Sequence, residues 1–295
     1  MKEMDITFLS VNRYGEKQNI TATVYIPDKL TVNTGLMMFC HGWGCNRSQH
    51  FDKMKYTCDE FDLVCVGPEY RMSGYAYDPV KGGGWSQPYD LSFLQTFDCI
   101  NSLRKVLEIY PFLNRKRIFA YGGSQGGHIV LLSSIFAPST FAFVYASCPL
   151  THVPEEGETL YNFAERDFSE AEKSVRNVVE HAHLIQCPVY LEAGTNDGSV
   201  PHNLHAVNLE KRLKDSGKEL QVAYYEGGGH DLMPTINKMD AYKKMIPNVL
   251  KNAVNEKKDD FLAGNVISIK CADKILEIDW SKGLADKELF RWKKA

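Results

Sequence analysis

The sequence predicts an α/β fold, a mostly parallel central sheet with helices on both faces. Two observations lead there. Short continuous apolar runs recur along the chain, the pattern of strands buried on both faces. Between them lie segments whose apolar residues return about once per helical turn. Buried strands alternating with amphipathic helices build a parallel sheet covered on both sides.

The elements follow in order. ITFLSV and ITATVYIP, separated by the polar RYGEKQ, read as an amino-terminal hairpin. GLMMFC (35–40) is the first buried run. LVCVG (63–67), RIFAYG (117–122), FAFVYASC (141–148), PVYLEAG (188–194) and LQVAYYE (220–226) repeat it. Residues 90–110 space Leu91, Leu94, Phe97, Ile100, Leu103 and Leu107 as a helix. Helices are also expected over 203–214, with Leu209 and Leu213, and over 239–254, with Tyr242, Ile246, Val249 and Ala253. Pro247 is a kink site in the last of these. Two stretches break the alternation. Residues 150–186 are long and acidic, turn helical from about Ser169, and read as a cap or lid insertion. After the charged NEKKDD, NVISIKCADKILEIDW reads as two strands around a turn, followed by a polar tail. The expected organisation is a domain over 1–258 and an extension over 259–295 packed on the core or on a second subunit. Pairing of this hairpin with the amino-terminal strands is the simplest arrangement, since it would cover a sheet edge.

Composition excludes several classes. The chain has 295 residues, 44% hydrophobic and 24% charged, which is ordinary globular usage. A formal net charge of −3 implies no basic surface for nucleic acid or anionic lipid. No apolar run reaches the ~18 residues of a membrane span. The start of the chain lacks the pattern of a secretory signal. The eight cysteines form no CxxC pair and sit mostly in apolar runs, so the expectation is a reduced, cytoplasmic protein without a metal site.

The chemistry centres on Gly122-Gly123-Ser124-Gln125-Gly126, a G-x-S-x-G pattern. It follows the strand RIFAYG directly and opens the helical QGGHIVLLSSIF. A serine on such a turn projects its hydroxyl from the sheet, beside the positive end of a helix. Serine needs a base to become a nucleophile. His230 sits in YYEGGGHDL, just after strand 220–226. His128, His181, His183, His202 and His205 read as surface or packing residues. The imidazole needs an acid to fix its tautomer. Asp197, in EAGTNDGSVP after strand 188–194, fits; Glu192 lies within the strand and Asp231 is too close to the histidine. The order Ser124, Asp197, His230 follows the strand-loop logic of G-x-S-x-G hydrolases. An oxyanion hole needs two N–H donors. The amides of Gln125 and of Trp43, in Cys40-His41-Gly42-Trp43-Gly44, are the candidates, with His41 a buried structural residue.

HGWG, GGSQGG, GTNDGSVP and GGGH together resemble the α/β-hydrolase superfamily. Within it they look like the branch of prolyl-oligopeptidase-type peptidases, dienelactone-hydrolase-like proteins and acetyl-sugar esterases. The resemblance covers roughly residues 20–255. It implies an α/β-hydrolase fold, Ser124 as nucleophile, Asp197 as acid, His230 as base, and an oxyanion hole at Trp43 and Gln125. PEYRMSGYAYD (68–78) resembles the branch's loop after the fourth strand, with Met72-Ser73-Gly74 departing from its pattern. Residues 68–90 hold Tyr70, Arg71, Tyr75, Tyr77, Trp85 and Tyr89; Tyr70, Arg71 and Trp85 are the expected substrate contacts, with packing on the sheet the alternative for the aromatics and an acidic partner the alternative for Arg71. The expected function is a serine esterase acting, without metal or organic cofactor, on a small ester such as an acetylated sugar, with a homodimer as a possible assembly. A peptidase is the runner-up, set second because only about 35 residues precede the core. A non-catalytic binding protein on the same scaffold comes third, since such proteins usually lack a triad member.

Overall fold

The computed structural model describes residues 1–11, 18–74, 89–160, 168–251 and 253–295. The central sheet has eight strands: β1 (Lys2–Ser10), β2 (Gln18–Ile26), β3 (Gly35–Cys40), β4 (Leu63–Glu69), β5 (Ile118–Gly123), β6 (Phe143–Ser147), β7 (Val189–Gly194) and β8 (Leu220–Tyr225). Their order is β1-β2-β4-β3-β5-β6-β7-β8. β1 and β2 form the antiparallel hairpin, β2 runs antiparallel to β4, and every later pairing is parallel. β3, β5, β6 and β7 are buried at every residue, as continuous apolar runs require. β8 departs from that expectation. It is the edge strand, and none of its residues is fully buried.

Alternate residues of each strand face opposite sides. Leu36, Met38, Ile118 and Ala120 join one core cluster with helices α2 (Phe93–Ile109) and α3 (Gln125–Phe136). Met37, Phe39, Phe119 and Tyr121 join another with helices α1 (Phe51–Phe61) and α7 (Lys238–Leu250). All twelve residues of α3 are buried, so this helix lies in the core. The cap carries two short helices, α4 (Glu170–Val175) and α5 (Val178–His181). Helix α6 (Ala206–Asp215) buries Ala206, Leu209 and Leu213 along one stripe. Pro247 lies within α7.

The carboxy-terminal segment has a short helix α8 (Asp260–Ala263), then β9 (Val266–Cys271) and β10 (Lys274–Asp279) as the expected hairpin. A third strand, β11 (Phe290–Lys294), comes from the stretch read as a polar tail. This sheet does not pair with the amino-terminal strands. It forms a separate antiparallel unit, β11-β10-β9, whose apolar face joins the α2/α3 cluster. Phe290 stacks on Phe97 at 4.8 Å, and Trp280 Nε1 donates to the Phe136 carbonyl at 2.8 Å. The α2/α3 layer has the apolar surface that two isolated strands need.

All eight cysteines are unpaired; seven are buried and Cys45 is half-buried. Among the described residues, no helix is long and apolar enough to cross a membrane.

Candidate active site

Ser124 stands between the end of β5 and the start of α3 with φ 58° and ψ −122°. A side chain at positive φ is strained, and such strain persists only where the surroundings dictate it. Here they do. The Ser124 amide donates to the Ser147 carbonyl at 2.8 Å, and its carbonyl accepts from the His128 amide at 3.1 Å. The chain also crowds itself. A Cβ on Gly122 would stand 2.1 Å from the Gly126 carbonyl oxygen, and one on Gly126 would stand 2.0 Å from the Cys40 carbonyl oxygen. Only glycine permits that approach. The first turn of α3, whose amides lack intrahelical partners, thus opens at the serine.

The loop after β3 lies against this turn. Gly42 is close enough that a Cβ there would stand 3.5 Å from Ser124 Cβ. The Gly42 amide donates to Gln49 Oε1 at 2.7 Å, which fixes the loop from outside. The Trp43 ring stacks on Tyr89 at 4.8 Å, and Tyr89 Oη donates to Gln125 Oε1 at 2.7 Å. The two expected oxyanion residues are therefore linked through Tyr89. The Gln125 side chain is buried and also donates to Gln95 Oε1 at 2.8 Å.

Tyr70 and Arg71 do not occupy the place expected of substrate contacts. Tyr70 is 1% exposed; its ring stacks on His41 at 4.0 Å and its hydroxyl donates to the His41 carbonyl at 3.0 Å. It braces the loop that carries Trp43. Arg71 is 4% exposed and clasps Asp98 of α2 through Nε at 2.7 Å and Nη2 at 2.6 Å, with Nη2 also on the Val11 carbonyl at 2.6 Å. Both side chains are consumed by the scaffold, because a buried guanidinium needs its charge and donors matched within the fold. Trp85, with Tyr75 and Tyr77, lies outside the described residues. His41 is buried as expected, with Nδ1 donating to the Gly42 carbonyl at 2.9 Å; burial lowers its pKa to about 4.

The candidate acid and base come from loops further along the sheet. Asp197 follows β7 and His230 follows β8, and the two loops are stitched together. The Thr195 amide donates to the Tyr225 carbonyl at 3.0 Å, and the Asn196 amide to the Gly228 carbonyl at 2.9 Å. His230 Nδ1 lies 2.7 Å from Asp197 Oδ2. Asp197 Oδ1 accepts from the Ser199 and Val200 amides, each at 2.9 Å. Burial works to raise the Asp197 carboxyl, but the His230 hydrogen bond and these amides outweigh it and hold the group below its ordinary value. With the carboxylate accepting at Nδ1, the proton sits there and Nε2 keeps its lone pair. The Asp197 side chain is fully buried while that of His230 is 31% exposed. Glu192, the strand acid passed over above, is buried within β7, and burial raises its pKa.

Sequence reasoning missed two neighbours. Cys148, with φ 46°, places Sγ within 4.8 Å of ligand atoms of Asp197 and His230. Ser73 faces His41 Nε2 at 3.1 Å behind the Trp43 loop. Neither has a sequence signal of its own.

A mostly parallel sheet, a serine on a tight strand-to-helix turn and a His–Asp pair on the loops after β7 and β8 define the α/β-hydrolase class. The chain belongs to the prolyl oligopeptidase family (Peptidase_S9), whose family model matches residues 94–253. No curated protein matches the sequence. Among solved structures it is similar to an acylaminoacyl peptidase in complex with Z-Gly-Gly-Phe-chloromethyl ketone, with 16% identity, TM-score 0.66, and coverage of 88% of this chain and 43% of that one. It is similar also to the uncomplexed acylaminoacyl peptidase of Pyrococcus horikoshii, with 15% identity, TM-score 0.68, and coverage of 87% and 42%. A puromycin-hydrolyzing peptidase of Mycobacterium tuberculosis matches with 18% identity, TM-score 0.60, and coverage of 77% and 36%. The chain thus spans about two-fifths of the length of these structures, and at such identity the likeness is one of fold.

Proposed function

We propose that Ser124, His230 and Asp197 form the catalytic triad of a peptidase-type hydrolase that cleaves the amide bond of small peptides or acylated amino acids. The observation that carries this reading is the strained Ser124 at the opening of α3, with the His230–Asp197 pair at 2.7 Å on the following loops. Ser124 Oγ attacks the substrate carbonyl while His230 Nε2 takes its proton. The carbonyl oxygen becomes an oxyanion, held by the amides of Gln125 and Trp43. Since Gln49 already occupies the Gly42 amide, Trp43 is the next donor along the loop. His230 then protonates the leaving amine, the C–N bond breaks, and an acyl-enzyme remains. Water, deprotonated by the same histidine, cleaves it and restores Ser124. Asp197 stabilises the imidazolium in each half-reaction.

Family membership supports amides as the first substrate class. A small ester, such as a short acyl group on a sugar or metabolite, is the second substrate class, since the same acyl-enzyme forms with an easier leaving group. The aromatic residues that pointed to a sugar now include Tyr70, which faces the scaffold.

A fluorophosphonate probe should label Ser124, and Ser124→Ala should abolish labelling and lower kcat by about 10⁶. Undiminished turnover by that variant removes the serine reading. A parallel screen of acylaminoacyl p-nitroanilides against p-nitrophenyl acyl esters decides the bond: turnover of esters alone moves the protein to the second class.

A further inference from the structure

We propose that His152, Glu158 and His205 bind one divalent transition-metal cation of the zinc class. They come from three segments: the exit of β6, the cap and the approach to α6. His152 Nε2 lies 3.1 Å from Glu158 Oε1, and His205 Nε2 lies 2.9 Å from Glu158 Oε2. The two imidazoles stack at 4.5 Å. One ligand atom from each residue falls within 4.8 Å of the others. Zinc bound at about 2.1 Å holds tetrahedral ligand atoms roughly 3.4 Å apart, so small outward shifts admit the ion.

The surroundings suit ligation. Metal-bound histidines pass their second ring N–H to an oxygen that fixes the ring. Here one oxygen serves both rings. Thr151 Oγ1 lies 3.0 Å from His152 Nδ1 and 3.1 Å from His205 Nδ1, and a hydroxyl oxygen has two lone pairs to accept with. Proton placement distinguishes the two states. Without a cation each Nε2–H donates to Glu158, and the Thr151 amide at 3.3 Å meets His205 Nδ1. With a cation both protons move to the Nδ1 atoms and both Nε2 lone pairs turn to the metal. Two imidazoles and a carboxylate select zinc-like ions over calcium or magnesium.

Access also fits. His205 is buried, but His152 and Glu158 line a cavity of about 730 Å³ that gives the ion an entrance and a fourth ligand position for water. Its wall carries Glu155, Glu156 and Asp215 against Lys211 and Arg212, so the approach is net acidic. The site is distinct from Ser124 yet linked to the acid loop. Thr159, next to Glu158, donates through Oγ1 to the Gly198 carbonyl at 2.8 Å. A bound ion would join the β6 exit, the cap and α6 behind Asp197.

The test is calorimetric titration of the full chain with Zn²⁺ after chelator dialysis. One ion per chain is expected, and His152→Gln and Glu158→Gln should each weaken binding at least about tenfold. Cys148→Ser should leave it unchanged, which separates this site from the Cys148, Asp197 and His230 cluster. Should either ligand variant fail to fold, the Co²⁺ spectrum of the unaltered chain decides, because nitrogen–oxygen ligation lacks the near-ultraviolet sulfur band that Cys148 would give. No saturable binding, binding indifferent to both ligand variants, or a sulfur band overturns the proposal. Hydrogen bonding alone would then account for the cluster.

Discussion

The two halves of the site lie in different parts of the sheet. The serine leaves β5, between β3 and β6, and enters a helix buried at every position. The proposed acid and base leave β7 and β8, and β8 is the half-exposed edge. At the centre, position is set by backbone packed on backbone, as at Gly122 and Gly126. At the edge it is set mainly by hydrogen bonds between two loops, with Gly194 passing close to the Gly228 carbonyl at the seam. Close packing resists any added atom, whereas a hydrogen-bonded loop tolerates change that spares its donors and acceptors. The centre should therefore fail through folding and the edge through chemistry.

Beyond loss of the serine itself, the largest expected effect is at the edge. Asp197→Asn keeps an oxygen for the Ser199 and Val200 amides, so the loop should fold. It removes the charge that stabilises the imidazolium and permits the wrong tautomer. By the serine-protease template kcat should fall by about 10⁴ with little change in melting temperature. A near-silent variant would move the acid role to another carboxylate, with Glu226 and Asp231 tested next.

At the centre, Gly126→Ala should cost at least about 3 kcal/mol, because its Cβ meets the Cys40 and His41 carbonyl oxygens and neither can yield. Gly198→Ala is the edge counterpart. A Cβ there meets nothing within 4 Å, so stability should stay within about 0.5 kcal/mol. Denaturant melts of the two variants measure the contrast, and similar losses would end it.

A pH titration sharpens the same point. Burial lowers His41 to about 4 and His128 to about 3, so the centre holds both rings neutral. Their folded pKa values lie below the ordinary 6.5. Stability is therefore full above that value and falls as pH drops through it, levelling only below the folded pKa. His41 alone should remove on the order of 3 kcal/mol by pH 4. Urea midpoints at pH 7.5 and 5 check this, with His41→Gln expected to flatten the slope.

The same division explains what the sequence made legible. Continuous apolar runs marked β3 to β7, and a glycine-rich turn after a run marked Ser124, because local pattern and buried environment coincide there. LQVAYYE reads like those runs, but its place at the edge is a property of sheet order. β11 was hidden in a charged stretch, RWKK, whose outward residues are polar while Phe290 turns inward. Arg71 was open to an acidic partner or a substrate carboxylate, and nothing in the sequence singled out Asp98, which lies on another element. His152 carried no signal because Glu158 and His205 meet it only through the fold. Long-range partners of polar side chains were the illegible part, and they decide which residues remain for substrate.

A small difference between two variants isolates the strain at the centre. Ser124 holds φ 58° and ψ −122°, where a residue with a Cβ costs about 1–3 kcal/mol. Alanine removes the hydroxyl and keeps the strain. Glycine removes both, although its greater freedom in the unfolded chain returns roughly 0.5–1 kcal/mol of that gain. Ser124→Gly should therefore exceed Ser124→Ala in stability by about 1 kcal/mol, or about 2 °C in Tm. Both variants should be inactive, so the difference between them reports on the backbone alone. Equal melting temperatures would mean that the turn relaxes once the serine is gone, and that the hydroxyl's own contacts, rather than the glycine-crowded backbone, hold the nucleophile in place.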